Sequence, residues 1–247
     1  MAWILDLDGV VWLSDEPIPG AARAVARLRA RGERVLLVSN NSSARIAEYL
    51  AKLQRLGVPT DHADLVTSAE AAATLLEPGQ TALVCAGPGV EEALRAHGVR
   101  PVRQGDADAV IVGWHRDFDY QGLTRAATAV GRGARLIGTN DDATYPTPDG
   151  PIPGGGAILA AVATAAGVEP IVAGKPHPPM VDLVRARLGP DIGGSTVVGD
   201  RPSTDGRFAV AVGARFALVL SGVTKDKDLP VDPEPAEVAT DLASLVR

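Results

Sequence analysis

Short apolar runs alternate along the chain with longer stretches in which apolar residues recur at helical spacing. The runs are bulky and end in glycine or polar residues, which indicates buried parallel strands. They are Trp3–Leu5, Val35–Val38, Thr81–Cys85, Ala109–Val112, Leu136–Ile137, Thr196–Val198 and Phe216–Leu220. The stretches between them are Ala21–Ala30, Ala44–Leu56, Val90–His97, Leu123–Gly131, Ala157–Ala166 and Pro179–Leu188. This alternation predicts an α/β protein in which helices cover a mostly parallel sheet.

The composition narrows the classes of function. Of 247 residues, 46% are apolar and 22% charged, and the net charge is −6. A nucleic-acid partner is not expected, because such binders need a basic surface. The single cysteine, Cys85, excludes an intrachain disulfide and a multi-cysteine zinc site. No apolar run approaches the ~18 residues of a membrane span, and no signal peptide precedes Asp6, so we expect a cytoplasmic protein without a membrane partner.

Polar side chains follow three of the predicted strands. Asp6 and Asp8 come after the first strand, Ser39-Asn40-Asn41 after the second, and Asp200 after the strand Thr196–Val198. Open parallel sheets bind ligands at the carboxyl ends of their strands, so these groups are expected to converge on one crevice. Strand ends are also often polar simply because they lie near the surface.

Asp6 and Asp8 form the most informative pair. Side chains at i and i+2 of a strand lie on the same side, and two carboxylates there repel unless a cation or proton lies between them. Mg²⁺ prefers such oxygen ligands. Gly9 permits a tight turn that brings backbone amides to a ligand. A capping aspartate or a solvated turn is the alternative.

Three further segments carry weaker signals. The run from Ser39 to Ser43 can cradle a phosphate with hydroxyls, amides and helix N–H groups, or can serve only as a helix cap. Lys175, between a glycine and a proline, can offset the charge of a phosphate, although most lysines are solvated surface groups. Asp200 can ligate a metal while Asp205 orients Lys175 or a metal-bound water; otherwise the two cap a turn before a helix.

Together these segments resemble the motif set of the haloacid dehalogenase-like hydrolase superfamily. In chain order they are Asp6-Leu7-Asp8-Gly9, Ser39-Asn40-Asn41, Gly174-Lys175-Pro176 and the run Gly199 to Asp205. Two more, Thr139-Asn140-Asp141 and Pro153-Gly154-Gly155-Gly156-Ala157, are similar to its class IIA branch, which includes nitrophenyl-phosphatases and the phosphoglycolate and pyridoxal phosphate phosphatases. The resemblance extends from residue 3 to about residue 222.

The resemblance implies a Mg²⁺-dependent phosphatase that hydrolyses small-molecule phosphate esters through an aspartyl-phosphate. Asp6 would be the nucleophile, and Asp8 the general acid and then the general base. Mg²⁺ would bind Asp6, the Asp8 carbonyl and Asp200. Asp205 would lie next to these ligands without binding the ion directly. The groups expected to bind the substrate phosphate are Gly9, Ser39, Asn40, Asn41 and Lys175.

The resemblance also implies a Rossmann-like, doubly wound core with an inserted α/β cap. The stretch between Ser39 and Lys175 is too long for a connection inside one compact domain. We therefore expect a core at residues 1–79 and 171–247 and a cap at 80–170. Cap residues are expected to determine substrate specificity, and the candidates are Trp114, His115, Asn140 and Asp141. Relatives of this branch often dimerise through the cap, so a homodimer is a further expectation.

Some features depart from the family pattern or leave alternatives open. Pro202-Ser203 and Gly206 replace more usual residues, which leaves the orientation of Asp205 open. The tail from Lys225 to Leu242 is predicted to be a surface loop before a short helix. A phosphotransferase or mutase would use the same aspartyl-phosphate, and a receiver-like module would carry the phosphate without further chemistry.

Overall fold

The computed structural model describes residues 1–147, 149–189 and 192–247. The strands are β1 (Ala2–Leu5), β2 (Trp12–Leu13), β3 (Glu16–Pro17), β4 (Arg34–Ser39), β5 (Leu65–Thr67), β6 (Thr81–Cys85), β7 (Arg100–Val102), β8 (Ala109–Val112), β9 (Arg135–Gly138), β10 (Thr144–Tyr145), β11 (Ile152–Pro153), β12 (Ile171–Val172), β13 (Thr196–Gly199), β14 (Arg215–Val219) and β15 (Glu237–Ala239). The helices are α1 (Ala21–Ala30), α2 (Ile46–Arg55), α3 (Ser68–Ala73), α4 (Pro88–Ala96), α5 (Tyr120–Gly131), α6 (Gly155–Ala166), α7 (Pro178–Leu188), α8 (Arg207–Val212) and α9 (Leu242–Leu245). Within these ranges no helix combines the length and the apolar character that crossing a bilayer requires.

The larger sheet has six parallel strands in the order β15-β14-β13-β1-β4-β5. Successive side chains of β1 enter two different apolar clusters. Ile4 packs on the side of α7 and α8, whereas Leu5 packs on the side of α1 and α2. Because helices cover both faces of this sheet, the predicted α/β class with a parallel-sheet core is confirmed.

The inserted stretch forms a second sheet of five parallel strands, in the order β12-β9-β8-β6-β7. One face of this sheet packs under α5 and α6. The other face, through Val84 and Ile111, joins the same apolar cluster as Ala72 of α3. The pairing of β12 with β9 carries this sheet to Val172, two residues past the predicted boundary at 170.

The prediction for the tail was wrong in one respect. Glu237–Ala239 is not part of a loop but is the edge strand β15, which pairs in parallel with β14. Two of its three side chains are exposed, because an edge strand is held by backbone hydrogen bonds and needs no apolar run. The short strands β5, β7 and β12 and the hairpins β2–β3 and β10–β11 escaped prediction for lack of a sustained pattern.

Candidate active site

The carboxyl ends of β1, β4 and β13 meet at one cleft, as the sequence predicted. Loop residues directly after these strands line it. Side chains from the part of the chain between β6 and β12, which forms the second sheet and is called the inserted unit below, complete the lining. The residues that follow strands of the larger sheet include Asp6, Asp8, Asn40, Asn41, Asp200 and Asp205, and Lys175 follows β12 of the second sheet. Those from the inserted unit include Trp114, Asn140, Asp142 and Tyr145.

Lys175 lies at the centre of the cleft and is 2% exposed. Its Nζ donates to Asp6 Oδ1 at 2.6 Å and to Asp205 Oδ1 at 2.7 Å. Burial alone would lower the pKa of Lys175, but Asp205 and Asp6 outweigh it and hold this pKa above its usual value. The side chain is therefore a fixed positive charge beside Asp6.

Three carboxylates crowd around this one ammonium group. Oxygens of Asp6, Asp200 and Asp205 lie within 4.8 Å of one another. Burial raises the pKa of Asp6 well above its usual value, Lys175 opposes that rise, and Asp205 and Asp200 add to it. Burial and then Asp205 raise the pKa of Asp200 to about 7. The site therefore lacks positive charge, and its hard oxygen donors fit Mg²⁺.

Asp205 is held firmly despite the unusual residues around it. Its Oδ2 accepts backbone N–H bonds from Asp200 at 3.2 Å and Arg201 at 3.1 Å, while Oδ1 bonds Lys175. A single π-helical turn, Pro202–Gly206, brings the carboxylate back to the strand end. Since both oxygens have protein partners, this geometry suits Asp205 to orienting Lys175.

The Asp200 carboxylate lies in close contact with two backbone segments. Its Oδ2 accepts the Val223 N–H at 2.5 Å. A Cβ on Gly9 would lie 2.5 Å from this oxygen, and one on Gly222 only 1.9 Å. Gly9 also has a φ of 84°, in the left-handed region. Glycine is required at both positions because only a bare backbone can approach this carboxylate.

Asp8 has partners that the sequence did not reveal. Its Oδ1 accepts a bond from the Trp12 indole at 3.1 Å and one from the Tyr145 hydroxyl at 3.1 Å. Burial raises the pKa of Asp8, and these two bonds oppose the rise. Tyr145 comes from β10 of the inserted unit and stacks on Trp114, with ring centroids 4.9 Å apart. Trp12 itself is buried.

Asn40 connects Lys175 to the inserted unit. Its Oδ1 accepts the Lys175 N–H at 2.7 Å, and its Nδ2 donates to the Lys175 carbonyl at 3.0 Å and to Asp142 Oδ2 at 2.9 Å. The preceding Ser39 is buried, and its Oγ accepts the N–H of Asn41 at 3.1 Å. The Ser39-Asn40-Asn41 loop is therefore shaped by its own side chains.

Two of the four predicted cap residues reach the cleft and two do not. Trp114 and Asn140 line it. His115 faces a separate cavity beside Cys85, with its Nδ1 2.9 Å from the Gly113 carbonyl oxygen. Asp141 points away to pair with His177 at 2.9 Å. Its neighbour Asp142, which the sequence did not single out, enters the cleft instead.

Comparison with known protein families supports the motif analysis. A family model described as "Haloacid dehalogenase-like hydrolase" matches residues 3–100, and a HAD-hydrolase-like model matches residues 172–245. The second match includes the whole tail from Lys225 to Leu242, so our expectation that the resemblance ends near residue 222 was wrong. Edge strand β15 lies inside this match.

Individual relatives are similar over nearly the whole chain. D-glycerol 3-phosphate phosphatase of Mycobacterium tuberculosis is 37% identical over 98% of this chain and 70% of its own length. The structure of p-nitrophenyl phosphatase from Archaeoglobus fulgidus superposes with a TM-score of 0.92 at 32% identity, covering 99% of this chain and 97% of that one. A glycerol phosphate phosphatase from M. tuberculosis in complex with magnesium gives a TM-score of 0.90 at 36% identity, covering 100% and 76%.

Proposed function

The chain is a phosphatase of the haloacid dehalogenase-like hydrolase family, class IIA. We propose that it hydrolyses small phosphate monoesters with Mg²⁺ through an aspartyl-phosphate on Asp6. The observation that carries the proposal is the contact of Lys175 with Asp6, inside a buried cluster of three carboxylates. A fixed ammonium group orients the carboxylate beside it and favours the ionised form that a nucleophile needs.

In the first half-reaction, a carboxylate oxygen of Asp6 attacks phosphorus. A new P–O bond forms to Asp6, the ester P–O bond breaks, and the leaving oxygen takes a proton from Asp8. The raised pKa of Asp8 suits it to holding that proton until the ester bond breaks. Ser39, the backbone N–H of Asn40 and the Lys175 ammonium group would hold the transferring phosphoryl group.

In the second half-reaction, Asp8 removes a proton from a water molecule. That water attacks phosphorus, the bond to Asp6 breaks, and inorganic phosphate leaves. Mg²⁺, held by the Asp6 carboxylate, the Asp8 carbonyl and Asp200, would offset the carboxylate charges and polarise the phosphoryl oxygens. Asp205 would keep Lys175 in position, since it bonds the same Nζ.

A cap at residues 80–170, a homodimer through it, and Asn140 and Trp114 as determinants of substrate choice belong to the same proposal. An alcohol in place of water would make the chain a phosphotransferase. Water is preferred because Asp8 can serve as its base.

The first experiment is hydrolysis of p-nitrophenyl phosphate and glycerol 3-phosphate with Mg²⁺, then with excess EDTA, then with Mg²⁺ restored. We expect release of inorganic phosphate, its loss in EDTA and its recovery. Turnover that persists in EDTA, or no turnover of either ester with Mg²⁺, would contradict the proposal.

A further inference from the structure

Two cavities meet at Asp8. The inner cavity, about 60 Å³, is the cleft around Asp6 and Lys175. The outer cavity, about 430 Å³, opens between α2 and the β2–β3 hairpin. Its lining includes Trp12, Asp15, Glu48, Tyr49, Lys52 and Arg55. Asp8, Asn41 and Tyr145 line both cavities, so these three residues form the boundary between them.

The inner cavity is too small for a whole substrate. Sites for small organic ligands usually enclose roughly 300–1,000 Å³. The inner cavity holds the nucleophile, the lysine and the carboxylate cluster, so its volume suits the phosphoryl group alone. The rest of a substrate must therefore extend into an adjoining space.

The position of Asp8 indicates which space that is. The bond that breaks joins phosphorus to the ester oxygen, and a proton donor must lie beside that oxygen. Asp8 is the proposed donor, and it lines the outer cavity as well as the inner one. The Trp12 indole and the Tyr145 hydroxyl both donate to Asp8 Oδ1. A proton carried by Asp8 would therefore lie on Oδ2.

The outer cavity has no excess of positive charge. Lys52 Nζ lies 3.4 Å from Asp15 Oδ1 and also donates to the Ser14 carbonyl. The other acidic and basic groups of this lining are Glu48, Arg55 and Asp8, so three acidic side chains face two basic ones. An anionic leaving group would therefore not be favoured here, whereas a hydroxyl group can donate to the carboxylates and accept from the cations.

The aromatic rings that line the outer cavity already have packing partners: Tyr49 stacks on Trp12, and Tyr145 stacks on Trp114. Lys52 Nζ lies 4.2 Å from the centre of the Trp12 ring, so that ring face is covered by a cation. That face of the Trp12 ring is therefore closed to a stacked nucleobase.

We propose that the outer cavity is the leaving-group subsite and that it takes a small, neutral, polyhydroxylated alcohol. This rests on the proposed function, since it assumes that Asp8 protonates the leaving oxygen. The phosphoryl group then lies in the inner cavity, the ester oxygen lies at Asp8, and the alcohol lies between α2 and the hairpin.

A matched pair of substitutions on α2 tests the location. Ala51 lines the outer cavity, whereas Ala47, on the same helix, lines a different groove. Ala51→Trp should raise KM for glycerol 3-phosphate by about tenfold or more, because the indole fills the space of the alcohol. Methyl phosphate, whose leaving group barely enters the cavity, should keep its kcat/KM. Ala47→Trp should leave both esters unchanged.

Three results separate the possible failures. An unchanged KM for glycerol 3-phosphate in Ala51→Trp, with methyl phosphate still hydrolysed, overturns the subsite alone. Equal effects of Ala51→Trp and Ala47→Trp overturn it as well. No hydrolysis of any ester by the unaltered protein with Mg²⁺ overturns the proposed function itself.

The charge argument has a test of its own. Glycerol 3-phosphate and 3-phosphoglycerate have leaving groups of similar size, but the second carries a carboxylate. The unaltered protein should favour glycerol 3-phosphate in kcat/KM by about tenfold or more. A preference for 3-phosphoglycerate would overturn the assignment to neutral alcohols.

Discussion

At the scale of single residues, the three aspartates of the site differ through their neighbours. Asp6 lies against the Lys175 ammonium group, Asp8 accepts two neutral donors, and Asp205 is bound by the lysine and two backbone amides. A cation favours the ionised form more strongly than neutral donors do. These neighbours suit Asp6 to the role of nucleophile, Asp8 to carrying a proton and Asp205 to positioning Lys175.

The effect of removing the Tyr145 hydroxyl should depend on whether the leaving group needs a proton. Tyr145→Phe removes a donor to Asp8 but keeps the ring stacked on Trp114. We expect kcat for glycerol 3-phosphate to fall about tenfold. p-Nitrophenyl phosphate should be less affected in its first half-reaction, because nitrophenolate leaves without a proton. Since the lost bond lowers the pKa of Asp8, the alkaline limb of the glycerol 3-phosphate profile should move to higher pH.

Tyr120→Phe provides the matched control for this prediction. Tyr120 is 82% exposed and lies outside the cleft, so its variant should match the unaltered protein with both esters. Stopped-flow release of nitrophenol and steady-state release of phosphate measure the two substrates. An equal loss with both, without movement of the pH profile, would show that Tyr145 has only a packing role.

Sequence reasoning predicted the residues that follow buried strands and missed those that approach from elsewhere. Asp6, Asp8 and Asp200 stand directly after apolar runs, so their convergence follows from sheet geometry. Tyr145 and Asp142 reach the cleft only because the inserted unit packs against the larger sheet. No local pattern marks such a contact, and the sequence pointed to Asp141 instead of Asp142.

At the scale of elements, the loop before β10 joins the two sheets. Asp142 Oδ2 accepts from Asn40 Nδ2 at 2.9 Å and Asn140 Nδ2 at 2.8 Å, and its Oδ1 accepts from Thr204 Oγ1 at 3.1 Å. The Arg201 side chain also donates to the carbonyl of Thr144, at the start of β10. These bonds fasten the loop of the inserted unit to two loops of the larger sheet.

Breaking this connection should disturb Lys175 at a distance. Asp142→Asn leaves one acceptor oxygen for three donors, so the free energy of unfolding should fall by about 1–3 kcal/mol. Asn40 also holds the backbone of Lys175, so kcat should fall with methyl phosphate as well as with larger esters. Chemical denaturation and steady-state kinetics measure the two effects.

The neighbouring Asp141→Asn is the control for this prediction. The Asp141 side chain is 49% exposed and pairs with His177 outside the cleft. Its substitution should change stability by less than about 0.5 kcal/mol. If Asp142→Asn behaves like Asp141→Asn, the loop does not depend on this carboxylate.

Element boundaries show how far a local pattern extends. The strands that were predicted in both sheets agree with the structure to within a residue or two, because bulky apolar runs mark strands that are covered on both faces. Strand β5 is also buried but has only three residues, so it was missed. Helix α2 begins at Ile46, two residues later than expected, because Arg45 is its N-cap residue. Edge strand β15 lacks any apolar run and was therefore missed.

At the scale of the whole molecule, the carboxylate cluster opposes folding. Asp200 has a folded pKa near 7, above its unfolded value, so the folded protein binds the extra proton more tightly. Stability is then greatest at low pH and falls as pH rises between about 4 and 7. The raised pKa values of Asp6 and Asp8 act in the same direction.

We therefore expect a simple neutralisation to stabilise the metal-free protein. In EDTA at pH 8, Asp200→Asn should unfold at a higher temperature than the unaltered protein, and its stability should depend less on pH. Added Mg²⁺ should raise the melting temperature of the unaltered protein much more than that of the variant. Calorimetry from pH 5 to 8 measures both effects.

Asp182→Asn is the corresponding control, because Asp182 is exposed on α7. It should keep the pH dependence and the Mg²⁺ response of the unaltered protein. A metal-free Asp200→Asn variant that is less stable at pH 8 would show that this carboxylate does not carry the excess charge.

The claim that Asp6 carries the phosphoryl group is tested most directly by rapid-quench kinetics with p-nitrophenyl phosphate. Asp8→Asn lacks only the proton carrier, so it should release a burst of nitrophenol and accumulate an acid-stable phospho-enzyme, because water has no base. Asp6→Asn should give neither. A burst and a phospho-enzyme in Asp6→Asn would place the nucleophile on another residue and contradict the account.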